Sequence, residues 1–316
     1  MNIVVTDGFT LNGGDLTWDG IARFGPLHLH DRTPPHLIEE RCREAEIIVT
    51  NKTPFSRETI ANLPKLKCIC VTATGYNIID TKAAAEKGIV VCNVPGYGTA
   101  SVAQHVFALL LELTNAAGRH STSVRNGDWN RAADWSYSLQ PIIEISGKTM
   151  GIVGFGNIGQ QVGRIADAFD MKVIYFNPRE KQSDIGEQRP LEVVFEESDV
   201  VSLHCPLTPE NTGMVNKALL QKMKPTAYLI NTARGPLVNE DDLAAALNEG
   251  LIGGAALDVL STEPPTEKHR ALIEAKNCLI TPHNAWMSRE ARQRIMEMTE
   301  KNMQAFLNGS PVNRVA

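Results

Sequence analysis

An arginine, a glutamate and a histidine each follow a short apolar run in the second half of the chain. Arg234 lies in Asn231-Thr232-Ala233-Arg234-Gly235 after residues 226–230, and Glu263 in Val259-Leu260-Ser261-Thr262-Glu263-Pro264-Pro265 after 253–258. His283 lies in Pro282-His283-Asn284 after 278–281. If those runs are parallel strands, all three side chains emerge at carboxyl ends, where open α/β sheets place their ligands. Histidine is the side chain whose ordinary pKa suits proton exchange near neutrality. A carboxylate beside it orients the ring and favours its charged form. Guanidinium stays charged and can grip a small acid's carboxylate through paired N–H bonds. The trio therefore fits a proton delivered to a carbonyl oxygen while the adjoining carbon takes up a hydride. Each residue alone has a plainer reading, as a surface ion pair, a helix cap or a satisfied core histidine; three successive strand ends favour catalysis.

A hydride needs a carrier, and the chain has a place for one. Gly154-Phe155-Gly156-Asn157-Ile158-Gly159 directly follows the apolar run 149–153 and opens a helical stretch. A diphosphate needs backbone N–H donors at close range, which a helix N-terminus offers once glycines clear the approach. Gly156 would admit the diphosphate and Gly159 would let helix pack on strand, with Asn157 and Ile158 between them. Beyond the run 199–203, Cys205 and Pro206 beside His204 are candidates for the cofactor wall. The other histidines show no metal-ligand spacing, so no metal is expected.

These residues must be held by a scaffold. Strand candidates at 2–6, 46–50, 67–72 and 89–92 form one set; 149–153, 172–176, 199–203, 226–230, 253–258 and 278–281 form another. Alternation with helical stretches predicts α/β architecture in two doubly wound parallel-sheet domains, a Rossmann dinucleotide-binding domain and a flavodoxin-like substrate domain with a cleft between. The seam falls at residues 94–98, where proline and glycine interrupt both patterns. Residues 119–146, with Trp129 and Trp135, lack clean periodicity and read as a long arm that binds something or reaches a second subunit. Residues 288–307 read as an amphipathic helix with Ile295, Met298, Met303, Phe306 and Leu307 on its apolar face.

Composition narrows the class. At 316 residues the chain suits two domains, and 43% hydrophobic with 21% charged residues is ordinary for a globular protein. A net charge of -5 without a basic run argues against nucleic acid or anionic membrane as partner. No run reaches the length of a membrane span, and the N-terminus reads as a strand, so the cytoplasm is expected. The six cysteines show no CxxC spacing and read as structural thiols.

Together the strings at 154–159, 231–235, 258–265 and 281–286 resemble the D-isomer-specific 2-hydroxyacid dehydrogenases over nearly the whole chain. The resemblance implies Arg234 as substrate clamp, Glu263 as partner and His283 as acid/base. It implies Thr232 and Asp258 on the nicotinamide side, and Thr74, Gly75 and Tyr76 offering the substrate carboxylate amides from the first domain. It implies that the last helix returns to the first domain, giving a substrate domain of 1–98 completed by 289–316 and a dinucleotide-binding domain of 99–288. It implies a homodimer through the helix at 100–118 and the arm after it. Within the family, residues 93–98 and 283–286 look most like glycerate dehydrogenases, also called hydroxypyruvate reductases, acting on hydroxypyruvate/D-glycerate or glyoxylate/glycolate. One departure concerns the cofactor. NAD-specific members carry an acidic residue where this chain has Asn177, followed by Arg179 and Lys181, so NAD and NADP both stay open. The rival readings are a dinucleotide-sensing, corepressor-like binding protein and a dehydrogenase of a phosphorylated 2-hydroxy acid.

Overall fold

Short runs of β-branched and apolar residues become strands buried on both faces, the signature of parallel sheets covered by helices. The structure is a computed structural model describing residues 1–316. The chain divides into two compact units, Met1–Gly98 with Met287–Ala316, and Thr99–Trp286.

The first unit holds β1 (Ile3–Val5), β2 (Leu27–Leu29), β3 (Ile47–Thr50), β4 (Cys68–Val71) and β5 (Val90–Cys92), all parallel, in the order β2-β1-β3-β4-β5. That is the flavodoxin-like winding. Val4, Ile48, Ile69 and Val91 project into one core with Phe55 and Ile60. The helix Arg289–Leu307 packs against β4. Its buried face carries Ile295, Met296, Thr299, Asn302 and Met303, while Leu307 is exposed and Met298 and Phe306 are half-buried. The expected apolar stripe is thus rotated, because polar residues serve in it: Asn302 Nδ2 donates to the Asn93 carbonyl at 2.8 Å. β2 escaped the sequence reading; it is a partly exposed edge strand containing His28.

The second unit holds β6 (Thr149–Val153), β7 (Lys172–Phe176), β8 (Glu187–Gln188), β9 (Val200–Leu203), β10 (Tyr228–Asn231), β11 (Gly254–Leu257) and β12 (Cys278–Ile280). All pairs are parallel, in the order β12-β11-β10-β9-β6-β7-β8. The winding reverses between β6 and β9, and such a switch point opens a crevice beyond the strand ends. Asn231, Leu257 and Ile280 share one register, so the three loops that follow leave the sheet from a common edge. The polar two-residue β8 gave no apolar signal. The arm at 119–146 is not all loop as expected: the helices Ala117–Arg125 and Asp128–Arg131 occupy its start. Their exposure removes the apolar stripe that would have announced them, since only Ser123 is buried in the first and nothing in the second.

All six cysteines are free thiols, and Cys42, Cys68, Cys70 and Cys92 are buried. No helix is long and apolar enough to cross a membrane.

Candidate active site

The turn after β6 works only with glycine. Gly154 has φ +96°, and a Cβ there would lie 2.5 Å from the Cys205 backbone nitrogen. Gly159 brings the helix Asn157–Ala168 down onto the turn, its Cβ position only 2.3 Å from the Gly154 carbonyl oxygen. A Cβ on Gly156 would meet nothing within 4 Å, so the space in front of the helix is open. No side chain caps this N-terminus and no acidic residue occupies its first turn. The first N–H groups, on Asn157, Ile158 and Gly159, are those a helix leaves without internal partners. At the end of β10 the Thr232 hydroxyl is buried without a hydrogen-bond partner. Such an orphan costs about 1–3 kcal/mol unless a ligand satisfies it. An open amide cradle and an unsatisfied hydroxyl along the same strand ends fit a bound dinucleotide.

The segment after β7 is laced onto that turn. Asn177 Nδ2 donates to the Arg179 carbonyl at 2.8 Å, and Asn177 Oδ1 receives the Phe155 N–H at 3.4 Å. Gln188 Nε2 donates to the Asn177 carbonyl at 2.8 Å. The Lys181 ammonium reaches into the glycine turn and donates to the Phe155 carbonyl at 2.8 Å. Phe155 itself stacks on Tyr175, ring centroids 3.8 Å apart. Asn177 therefore braces its own loop, Arg179 is exposed, and Lys181 carries positive charge to the turn. Beyond β9, Cys205 is half-buried, its thiol pKa raised by burial, and Pro206 is exposed. His204 turns back to Ser202, Nε2 to Oγ 2.8 Å, and desolvation pushes its pKa down to about 3.

Two of the three chemistry-bearing side chains meet directly. His283 Nδ1 lies 2.5 Å from Glu263 Oε2, both partly exposed at 31% and 36%. The other carboxylate oxygen, Oε1, accepts the Leu260 N–H at 3.1 Å, which fixes the glutamate's direction. His283 sits at φ +52°, a left-handed backbone that non-glycine residues rarely adopt. Arg234 is exposed and donates to its own neighbour's carbonyl, Ala233 O, at 2.6 Å. Its loop is nevertheless pressed against the Glu263 loop, because a Cβ on Gly235 would lie 1.9 Å from the Leu260 carbonyl carbon. Asn231 shapes the turn, Oδ1 accepting from Ala233 N at 3.0 Å and Nδ2 donating to Arg234 O at 2.8 Å.

Asp258 is 1% exposed, and both of its carboxylate oxygens are engaged within the protein. Oδ1 accepts from Thr281 Oγ1 at 2.6 Å and Asn284 N at 2.9 Å; Oδ2 accepts from Ala285 N at 2.9 Å. A buried carboxylate requires such donors, and the Thr281 hydroxyl with two backbone N–H groups beside His283 supplies them.

Sequence reasoning passed over a second brace. Ser261 donates through N and Oγ to the Glu240 carboxylate at 2.6 and 2.8 Å, and the same hydroxyl lies 3.2 Å from His269 Nε2. Thr266 N–H donates to His269 Nδ1 at 3.0 Å, closing the loop that carries Glu263. The signal was there as Thr266-x-x-His269, a capping pattern with histidine in the usual Glu/Gln place.

In the first unit the Thr74 hydroxyl donates to the Val94 carbonyl at 3.0 Å, and Asn93 Nδ2 donates to the Thr74 carbonyl at 2.8 Å. Thr74 is thereby tied to its own unit. The N–H groups of Gly75 and Tyr76 donate to no backbone carbonyl or side chain of the protein, and Tyr76 is exposed.

The chain is similar to known proteins. Residues 107–285 match the family model for the D-isomer specific 2-hydroxyacid dehydrogenase, NAD binding domain. The chain is 46% identical to a hydroxypyruvate reductase of Blautia hydrogenotrophica, covering 100% of this chain and 99% of the relative. It is 42% identical to a glycerate dehydrogenase of Methylorubrum extorquens, over 89% of this chain and 88% of that one. Among solved structures it is similar to the apo-structure of D-lactate dehydrogenase from Escherichia coli, TM-score 0.89 at 28% identity, covering 100% of both chains.

Proposed function

We propose that this chain, which belongs to the D-isomer specific 2-hydroxyacid dehydrogenase family, interconverts a small 2-keto acid and its D-2-hydroxy acid with a nicotinamide dinucleotide. Hydroxypyruvate/D-glycerate or glyoxylate/glycolate are the pairs proposed, supported by the hydroxypyruvate reductase and glycerate dehydrogenase among its relatives. The observation that carries the reading is the 2.5 Å contact between His283 Nδ1 and Glu263 Oε2 on loops leaving a common sheet edge.

The dinucleotide would be held by the 154–159 turn, the 177–181 segment and Thr232, and when bound supplies or accepts the hydride. This chain's residues handle the proton and the acid. With Nδ1 committed to Glu263, Nε2 is the nitrogen of His283 left to give a proton to the substrate's carbonyl oxygen, or to take it back in the reverse direction. Glu263 keeps the ring in that orientation and stabilises its positive form. Arg234 pairs with the substrate carboxylate; its planar fork matches that group as lysine's point charge does not. Gly75 and Tyr76 are proposed to add backbone donors to the carboxylate.

Asn177 carries no charge to repel a 2′-phosphate, and Arg179 and Lys181 bring positive charge to the same segment, so the reading includes NADP beside NAD. We further propose a homodimer joined through the arm at 119–146, where Trp129, Trp135 and Ile142 are exposed at 51%, 88% and 60%. A reducing cytoplasm suits six unpaired thiols.

The test follows absorbance of the reduced nicotinamide with each cofactor against glyoxylate, hydroxypyruvate and pyruvate, and resolves the product enantiomers where the product is chiral. Turnover of hydroxypyruvate or glyoxylate, with D-glycerate formed from the former, is expected. Dinucleotide binding with no turnover of any acid would instead favour a sensor.

A further inference from the structure

We propose that His105 is a positioning residue for the His283 turn: the helix Thr99–Asn115 grips residues 281–285 through His105 and Ser101, and this grip holds the imidazole in line. The proposal rests on the reading of His283 as the proton donor.

The geometry is a bracket. His105 Nε2 lies 3.0 Å from Thr281 Oγ1 and 3.5 Å from Asp258 Oδ1. Thr281 gives its single hydroxyl proton to Asp258 at 2.6 Å, because an ionised carboxylate can only accept. Its oxygen must then accept from His105, which places a proton on Nε2. One turn earlier on the same face of the helix, Ser101 Oγ donates to the Ala285 carbonyl at 2.6 Å. The two helix contacts thus fall on either side of His283, and Asp258 fastens the same segment from beneath through Asn284 N and Ala285 N.

Something must hold this turn, because its backbone is unfavourable. A non-glycine residue at positive φ costs roughly 1–2 kcal/mol and persists only where its surroundings over-determine it. His283 has φ +52°, and its N–H closes a tight turn onto the Thr281 carbonyl at 3.0 Å. If His105 is lost, the Thr281 hydroxyl keeps only Asp258 and can swing with it. The imidazole is two residues away. A displacement of an ångström at a proton donor can cost about a hundredfold in rate.

The experiment compares full-length wild type with His105→Leu, which removes the donor, His105→Gln, which keeps an N–H at similar reach, and Ser101→Ala. Hydrogen–deuterium exchange of peptides covering 281–286 reads the grip without any turnover. Exchange there should rise about tenfold or more in His105→Leu, by less in Ser101→Ala, with the rest of the chain unchanged. For the 2-keto acid that the wild type turns over, kcat should fall about ten- to hundredfold in His105→Leu, while KM and the dinucleotide Kd stay within about threefold. His105→Gln should restore kcat to within about fivefold of wild type. Unchanged exchange at 281–286, or a loss falling on KM and Kd with kcat intact, overturns the proposal. Should His105→Leu fail to fold, Ser101→Ala and His105→Gln carry the comparison, and wild-type exchange in both then counts against it. A wild type that turns over no acid would defeat the proposed reaction, while the exchange result would still decide whether His105 holds the turn.

Discussion

At the scale of single residues, the proposed chemistry divides between an imidazole that moves a proton and charges that hold anions. Replacing His283 with alanine removes the donor, and general acid–base catalysis is worth about 10²–10⁴ in rate. Glu263→Gln keeps a hydrogen-bond acceptor but no charge, so it should cost less than His283→Ala while lowering kcat more than KM in steady-state assays. Arg179 and Lys181 permit a separate prediction. Converting both to alanine should weaken NADP binding about ten- to hundredfold, the worth of one or two charge-assisted hydrogen bonds, and NAD binding by no more than about threefold. Titration of each reduced cofactor by fluorescence measures this; equal losses would remove both residues from 2′-phosphate recognition. His204 carries a pH prediction. Burial holds its folded pKa near 3, below the unfolded value of about 6.5, so the folded chain binds fewer protons between those values. Stability conferred by keeping the ring neutral is present above pH 6.5 and is lost as the pH falls towards 3. At pH 5 the loss is at most about 2 kcal/mol, because only the interval between the unfolded pKa and pH 5 has been crossed. Thermal unfolding at pH 7 and pH 5 should show a larger drop for wild type than for His204→Gln; identical drops would contradict it.

At the scale of elements, loops leaving one sheet edge are pressed together by residues with no chemistry of their own. Gly235 is the clearest, since any Cβ there collides with the Leu260 carbonyl of the loop that leads to Glu263. Gly235→Ala should therefore destabilise by about 1–3 kcal/mol through overpacking and lower kcat by parting the Arg234 and Glu263 loops. Thermal melts and steady-state kinetics on the purified variant check both effects; a variant with wild-type Tm and kcat would show the loops to be independent. Most strand cores were legible because parallel strands are continuous apolar runs: 149–153 and 172–176 coincide with β6 and β7. What was not legible had no apolar signal. β8 is Glu187–Gln188, and the helices at the start of the arm are polar around most of their circumference. The pairing of His283 with Glu263 rests on two loops whose meeting depends on the register of β11 and β12, which no local pattern encodes. The same holds for Asp258, whose carboxylate folds inward because three donors of residues 281–285 surround it.

At the scale of the whole molecule, two parallel sheets wound differently serve different ends. The seven-stranded sheet supplies the switch point, the open helix N-terminus and the His283–Glu263 pair, all within one unit. The five-stranded sheet carries Gly75 and Tyr76 beyond β4, whose N–H groups are the donors proposed for the substrate carboxylate. The arm leaves Trp135 at 88% exposure, a large apolar surface for a lone chain to keep in water. On the proposed dimer, Trp135→Glu should shift the protein towards monomer in light scattering coupled to size exclusion; a wild type that elutes as a monomer would exclude the arm from this role. The most direct test of the account is the single-turnover rate of nicotinamide oxidation with hydroxypyruvate or glyoxylate, for wild type and His283→Ala, under saturating cofactor. The account predicts a rate about 10²–10⁴ lower in the variant with the dinucleotide Kd essentially unchanged; a variant that oxidises the cofactor as fast as wild type would contradict it.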